Sequence, residues 1–380
     1  MALICFYFFS VLVECFFILN KKVVCWLSIV VAAIFLIYLP FVESDYILYE
    51  EAYDCAYFMS SFPWFWTTST LTSEPLYLWY TSLGGVILPW GFPVFLATNF
   101  LLCIALSWIV LKRLSSKIRY HFWMMFLPVI FLTVFYYSAR SSISFILVFV
   151  GFGYLAMNRI AKSTLCLFLG CMIHSQYLLI SLLLLGTHYL LFKKIKKKDN
   201  CLLIILAVTF PLCIVLFSIN NYLNVVSSIL SLLPSGEFAQ AKLMYYYDSN
   251  SEYLAGVFRL TSILSVVVYP YMAIKLLSLY KRKTVKYLFF FNDDHSDFRF
   301  LYLIVAVVLY GAAINIAYYN SPFIAGRLSR FSDYVCMGVL IPSYFQYVHP
   351  SNKKVLYLVM ALFAILAPFL YGNLYEFVEL

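Results

Sequence analysis

The sequence predicts an all-α, polytopic membrane protein, and three observations lead to that fold class. Hydrophobic residues make up 64% of the 380 residues and charged residues 11%, whereas soluble domains have about 45–50% apolar and about 25% charged residues. The apolar residues fall in runs long enough for spanning helices rather than for the strands of a barrel. The basic residues cluster in short segments between those runs, as in cytoplasmic loops beside anionic lipid. The net charge of +9 therefore indicates a membrane surface and no nucleic-acid partner.

About twelve apolar stretches are candidate spans. Their approximate ranges are 3–20, 23–41, 92–111, 120–137, 141–158, 163–175, 176–192, 201–219, 256–279, 300–319, 331–348 and 355–371. Twenty of the 26 Lys and Arg lie in the segments that we assign to the cytoplasmic side. No internal repeat or linker is visible, so residues 1–380 are predicted to form a single integral membrane domain, with outer loops at about 43–91 and 220–255.

Two stretches do not fit a simple series of spans. The first outer loop, at about 43–91, ends in the sequence EPLYLWYTSLGGVILPW. If this sequence crossed the membrane fully, the basic segment Lys112–Arg119 would lie on the outer side of the membrane. We therefore expect a short dipping or interfacial helix, weakened by Gly84, Gly85 and Pro89. Residues 163–192 are too few for two full spans, since each needs about 17 residues or more. A broken or re-entrant helix pair that meets near His174 satisfies both constraints.

Known cofactor and metal motifs are absent from the sequence. The ten cysteines form no CxxC pair and no His/Cys ligand spacing, which argues against a zinc site or a disulfide framework. The GFG at 151–153 lies inside a predicted helix rather than in a phosphate-binding loop. We therefore expect no metal and no cofactor.

Six basic residues lie outside the cytoplasmic segments, and most of them are predicted at the outer face. They are Arg140, Lys242, Arg259, Lys275, Arg327 and Arg330. Four are arginines, whose planar fork of donors matches phosphate oxygens. An anionic headgroup such as a lipid-linked pyrophosphate is the functional interpretation, and pairing with outer carboxylates or lipid phosphates is the structural one. Arg140 and Arg327 favour the first, because both adjoin apolar spans where a merely structural charge is costly.

A histidine and a glutamate are candidate proton acceptors. His174 lies in CMIHSQY, and its ordinary pKa near 6.5 suits a general base or a donor to phosphate or sugar. The alternative is a buried histidine bonded to a neighbouring hydroxyl group. Glu74 precedes Pro75, where it caps a helix start or activates an acceptor hydroxyl.

The outer loop carries a third polar group, since Asp45, Tyr49 and Tyr53 recur every fourth residue and share one helical face. Aromatic rings beside a carboxylate suit a sugar, and the alternative is an interfacial anchor.

Taken in order, these pieces resemble the EpsG-type branch of the Wzy polysaccharide polymerases, which extend O-antigen, capsule or exopolysaccharide. The likeness rests on the Asp45…Tyr49…Tyr53 pattern, on Glu74-Pro75, on Arg140 with its following span and basic turn, and on His174-Ser175 with Arg327. It is most specific in residues 136–192. Two positions depart from the family: Ser141 stands where a glutamine is frequent, and Leu76 where a glycine commonly follows the acid-Pro pair.

The resemblance implies a metal-independent glycosyltransferase that joins undecaprenyl-pyrophosphate-linked oligosaccharides on the periplasmic face of the bacterial inner membrane. Arg140 and Arg327, with Arg330 or Arg259, would stabilise the departing pyrophosphate. The base would be His174, Glu74 or Asp45, and Tyr49 and Tyr53 would contact sugar. Whether a chain-length regulator binds the outer loops is left open.

Two other classes remain as alternatives. A lipid-linked oligosaccharide flippase or another transporter also has about twelve spans and a cationic path, but often shows two related halves, which this sequence lacks. A membrane O-acyltransferase would carry a histidine deep in a span.

Overall fold

The computed structural model describes residues 21–38, 44–54, 75–114, 119, 122, 139–190, 262–282, 294–318 and 322–348. Within these ranges every regular element is helical and there is no β-strand. The predicted spans near 3–20, 201–219 and 355–371 lie outside the described residues, as do most of 120–137 and part of 256–279.

The first four helices of the described ranges lie between residues 21 and 111. They are α1 (Lys21–Tyr38), α2 (Ser44–Asp54), α3 (Pro75–Ile87) and α4 (Phe92–Leu111). Next come α5 (Ala139–Ala156), α6 (Ile160–Ile173), a 3-10 turn (Ser175–Tyr177) and α7 (Leu178–Tyr189). The remaining elements are a π-helical segment (Leu264–Val268) that runs into α8 (Tyr269–Lys281), then α9 (Asp294–Ala317) and α10 (Pro322–Val335), which continues through a second π-helical segment (Cys336–Leu340) into α11 (Ile341–Tyr347).

The predicted span at 92–111 coincides with α4. Pro93 occupies its first turn, and Gly91 precedes it with φ 97°, a left-handed value that favours glycine. The far end is capped by Arg119, which donates to the backbone oxygens of Leu111, Lys112 and Leu114 at 2.8–3.0 Å. These bonds occupy carbonyl groups that a helix C-terminus leaves without partners.

The helices pack around an aromatic core. Helix α5 is central, because it packs against α4, α6 and α9, and α9 in turn packs against α8 and α10. Stacked and tilted rings fill the space between α5, α9 and α10, with the Phe152 ring 4.9 Å from that of Phe300 and 6.2 Å from that of Phe331. Many Phe and Tyr residues thus contribute to the interior of the described helices.

Large apolar side chains also cover the outside of several helices. On α1, Trp26, Val30 and Ile34 are 62%, 50% and 48% exposed, and Phe168 of α6 is 59% exposed. A water-soluble protein rarely exposes such continuous apolar surface, whereas lipid solvates it. Among the described helices, Phe92–Leu111 and His295–Ala317 are long and apolar enough to cross a bilayer. The described part of the chain is therefore consistent with a helical membrane protein.

Two boundaries differ from those expected from hydropathy. Helix α9 begins at Asp294 rather than near 300, and α10 begins at Pro322 rather than near 331. The added turns are polar but face the interior, since Ser296 and Asp297 are buried. Helix α3 runs through Gly84 and Gly85. Hydropathy detects apolar stretches and therefore misses a helical turn whose polar groups are satisfied inside the protein.

Candidate active site

Two antiparallel helices, α5 and α6, form the frame of the candidate site. The Ser144 hydroxyl donates to the backbone oxygen of Gly170 at 2.6 Å, and the Ser163 hydroxyl donates to the backbone oxygen of Gly151 at 2.7 Å. Both glycines are needed for this approach, because a Cβ at Gly170 would lie 2.8 Å from Val148 Cγ2, and one at Gly151 would lie 2.8 Å from a leucine side chain on α6. The serine bonds fix how far one helix is shifted along the other.

That register places Arg140 and His174 at the same level. Arg140 lies one helical turn before Ser144, and His174 lies four residues after Gly170. Because the helices run in opposite directions, a step back along α5 matches a step forward along α6. Both side chains are buried, with 5% of Arg140 and 6% of His174 exposed. The structure thus brings the two residues to one end of the helix pair.

His174 lies between α6 and α7, where the apolar stretch of residues 163–192 is interrupted. Its backbone is extended (φ −150°, ψ 108°), so it ends α6 and precedes the 3-10 turn before α7. Helices α6 and α7 have 14 and 12 residues, about 21 and 18 Å at 1.5 Å per residue, less than the roughly 30 Å of a bilayer core. The break predicted near His174 is present. The imidazole ring contacts the Tyr177 ring edge-on, with centroids 5.9 Å apart.

Helices α2 and α3 pack against each other, and α2 carries Tyr49 beside Arg140. Its guanidinium carbon lies 6.0 Å from the centre of the Tyr49 ring, a favourable cation–π distance. Tyr49 in turn meets the Tyr77 ring edge-on at 4.7 Å. Tyr49 therefore holds the arginine from the side of the loop.

A hydrogen-bonded chain lies beside Arg140 and joins three helices. The Tyr80 hydroxyl donates to Asn99 Oδ1 at 2.9 Å, and Asn99 Nδ2 donates to the Ser142 hydroxyl at 2.8 Å. Sequence reasoning missed Asn99 and Ser142. The signals were an amide inside the apolar helix α4 and the serines of RSSIS, which directly follow the arginine.

Helix α10 presents an aromatic face to the break. The Phe331 ring lies 6.5 Å from that of Tyr177 and 5.7 Å from that of Phe145, and the Tyr334 ring lies 5.4 Å from that of Phe145. Arg327 shares this face, since it precedes Phe331 by four residues and Tyr334 by seven. It is half-buried near the start of the helix.

Tyr53 lies with α2 against the loop before α4 rather than beside Arg140. Its hydroxyl donates to the backbone oxygen of Leu88 and accepts from the backbone N–H of Gly91. Two helical turns earlier on α2, burial together with Glu50 raises the pKa of Tyr46 to about 12. Tyr46 therefore stays neutral near pH 7, and its ring packs edge-on against Phe92 at 5.0 Å.

The structure gives fewer contacts for the other predicted site residues. Asp45 lies in the first turn of α2, and Arg330 lies half-buried on α10. Glu74 and Arg259 lie outside the described residues, so their predicted roles stay predictions. Within the described ranges, no group of three His, Cys, Asp or Glu side chains is arranged to hold a metal ion.

Taken together, the fold and site define an all-helical protein of membrane character, with a buried arginine and histidine at the break of a helix and an arginine-bearing helix packed against that break. The chain belongs to the EpsG family, whose model matches residues 23–377. That family supports a function of the polysaccharide-polymerase type. No curated protein and no solved structure matches the chain.

Proposed function

We propose that the protein is a polysaccharide polymerase of the bacterial inner membrane, with several spans and its site on the periplasmic face. It transfers a growing glycan from one undecaprenyl-pyrophosphate carrier onto the sugar of another carrier-linked repeat unit. One observation carries the proposal: the α5–α6 register sets buried Arg140 level with buried His174, at a helix break that α10 packs against.

The transfer breaks the bond between the sugar C1 and the pyrophosphate oxygen and forms a glycosidic bond to the acceptor oxygen. Negative charge develops on the leaving pyrophosphate. Guanidinium groups of Arg140 and Arg327 stabilise it, because Arg presents paired N–H donors to phosphate oxygens and stays protonated. Burial of Arg140 strengthens this interaction, since little water competes for it.

The acceptor hydroxyl must lose a proton as it attacks. His174 is the proposed base, since a neutral imidazole accepts a proton near pH 7. The extended backbone at the break turns its side chain out of the regular helix ladder, and the edge contact with Tyr177 restricts the ring. Glu74 and Asp45, on the outer-loop side, are the other candidates for this role.

The aromatic residues of the outer loop have different proposed tasks. Tyr49 contacts Arg140 and keeps the guanidinium group oriented while the site is empty. A sugar ring can stack on it when the carrier binds. Tyr53 anchors α2 through its hydroxyl, so its contribution to sugar binding would come from the ring alone. The chemistry uses no cofactor, and a chain-length regulator is a further proposed partner of the outer loops.

The proposal is tested by the glycan ladder of a deletion strain. Wild type should restore long chains, whereas Arg140→Ala and Arg327→Ala should leave single repeat units on the cell surface, with the protein still inserted and abundant. The matched control is Arg282→Ala, because Arg282 is exposed at the far end of α8 and should support a normal ladder. Normal ladders from both site variants would refute the proposal. Lipid-linked units trapped in the cytosol of the deletion strain would indicate a flippase instead.

A further inference from the structure

The proposed transfer leaves two buried carboxylates of the described residues unused, Asp297 near the start of α9 and Asp333 on α10, and only Asp333 lies on the helix that carries Arg327. Only 8% of Asp333 is exposed. Ser265 donates its hydroxyl to Oδ1 at 2.5 Å, and Ser329 donates its hydroxyl to Oδ2 at 2.8 Å. A carboxylate inside an apolar bundle is costly unless it is paired, and where it persists it usually has a function.

The partners of Asp333 come from two helices. Ser329 lies one turn earlier on α10, whereas Ser265 lies in the π-helical segment before α8. A π-helical turn holds an extra residue and shifts the side chains that follow it, and such turns are frequent at functional sites. The two serine bonds favour the ionised carboxylate most, and the positive charge of Arg330, three residues earlier on the same helix, adds a smaller contribution.

The bond to Ser265 ties one side of α10 to the segment before α8. Phe331 and Tyr334 lie on another side of the helix, where they meet Tyr177 and Phe145. Arg327 shares their face by helical spacing, whereas Arg330 is displaced from it toward Asp333. If α10 rotated about its axis, Arg327 would move away from the break.

We propose that Asp333 is a positioning residue, which fixes the rotation of α10 and takes Arg330 as its counter-charge, so that Arg327 faces the break and binds the pyrophosphate. This inference rests on the proposed function for the role of Arg327. It gives two neighbouring arginines different tasks: Arg327 contacts the substrate, and Arg330 neutralises a buried acid.

The test uses the full-length protein in proteoliposomes, with undecaprenyl-pyrophosphate-linked repeat units as substrate. Arg327→Gln should raise KM about tenfold or more, since it loses a bidentate charged contact, whereas Arg330→Gln should raise KM less than about threefold. Asp333→Asn should lower kcat, because Arg330 then lacks its counter-charge and α10 is held less firmly. The double variant Asp333→Asn/Arg330→Gln should recover part of that loss, since both charges are gone.

A second measurement tests the pairing of Asp333 with Arg330 even if the proposed function is wrong. Thermal unfolding of the wild type, Asp333→Asn, Arg330→Gln and the double variant forms a double-mutant cycle that needs no activity. Non-additive midpoints, with the double variant more stable than Asp333→Asn, support the pair. Additive midpoints would overturn the inference even if polymerisation is confirmed, as would equal KM changes in Arg327→Gln and Arg330→Gln. A wild type that melts normally but neither polymerises nor binds undecaprenyl pyrophosphate would refute the proposed function instead.

Discussion

Substitution of Gly170 by alanine should disturb the site from a distance. The new Cβ would lie 2.8 Å from Val148 Cγ2, 3.2 Å from the Ser144 backbone oxygen and 3.5 Å from Leu147 Cβ. The valine cannot swing aside, because a β-branched side chain has one strongly preferred rotamer in a helix. The helices must therefore separate by several tenths of an ångström. Such overpacking costs about 1–3 kcal/mol.

The same separation lengthens the 2.6 Å bond between the Ser144 hydroxyl and the Gly170 backbone oxygen. It also moves His174 relative to Arg140, since each residue lies about one turn beyond this contact. A displacement of about 1 Å at reacting groups lowers a rate by up to about 100-fold, so we expect activity to fall by about ten- to 100-fold.

Gly186→Ala is the matched control. Gly186 lies on α7, where an added Cβ meets no atom within 4 Å. Alanine should there stabilise the helix by up to about 1 kcal/mol. Thermal unfolding in nanodiscs and the polymerisation rate are measured for both variants. Equal midpoints and equal rates for the two alanine variants would refute the claim that close α5–α6 packing sets the site.

Further predictions concern the contacts around the arginine. Tyr49→Leu should reduce polymerisation more than Tyr49→Phe, since only phenylalanine keeps a ring over Arg140; equal ladders would contradict a cation–π role. Asn99→Leu leaves two hydroxyl groups without their bonds and should lower stability by about 1–3 kcal/mol, as chemical denaturation can measure. Gly85→Ala should loosen α2, because a Cβ would lie 1.9 Å from the Tyr53 backbone oxygen; proteolysis in the outer loop should then be faster, and unchanged cleavage would argue against this contact.

The helix break at His174 could be predicted from the sequence because the number of available residues limits how many spans they can form. Two basic segments bound residues 163–192, which are too few for two spans, and polar residues lie in the middle of this stretch. The helix containing Asp45, Tyr49 and Tyr53 was predictable for a similar reason, since its polar and aromatic residues recur every fourth position. Both features follow from local pattern alone.

The hydrogen bond between α4 and α5 could not be predicted in the same way. The bond between Asn99 and Ser142 joins residues 43 positions apart, and nothing local in either helix indicates which neighbour it faces. Asp333 was missed for a different reason. Hydropathy placed its helix start near residue 331, whereas the preceding turns, with Arg327, Ser329 and Arg330, are helical as well. Hydropathy does not detect a helical turn whose polar face packs toward the interior.

The central claim is tested most directly by an experimental structure of the protein with undecaprenyl pyrophosphate bound. The account predicts that phosphate oxygens lie within hydrogen-bonding distance of the Arg140 and Arg327 guanidinium groups, with the His174 ring facing the space where an acceptor sugar would enter. Density for the pyrophosphate elsewhere in the bundle, or Arg140 on the cytosolic side of the membrane, would contradict it.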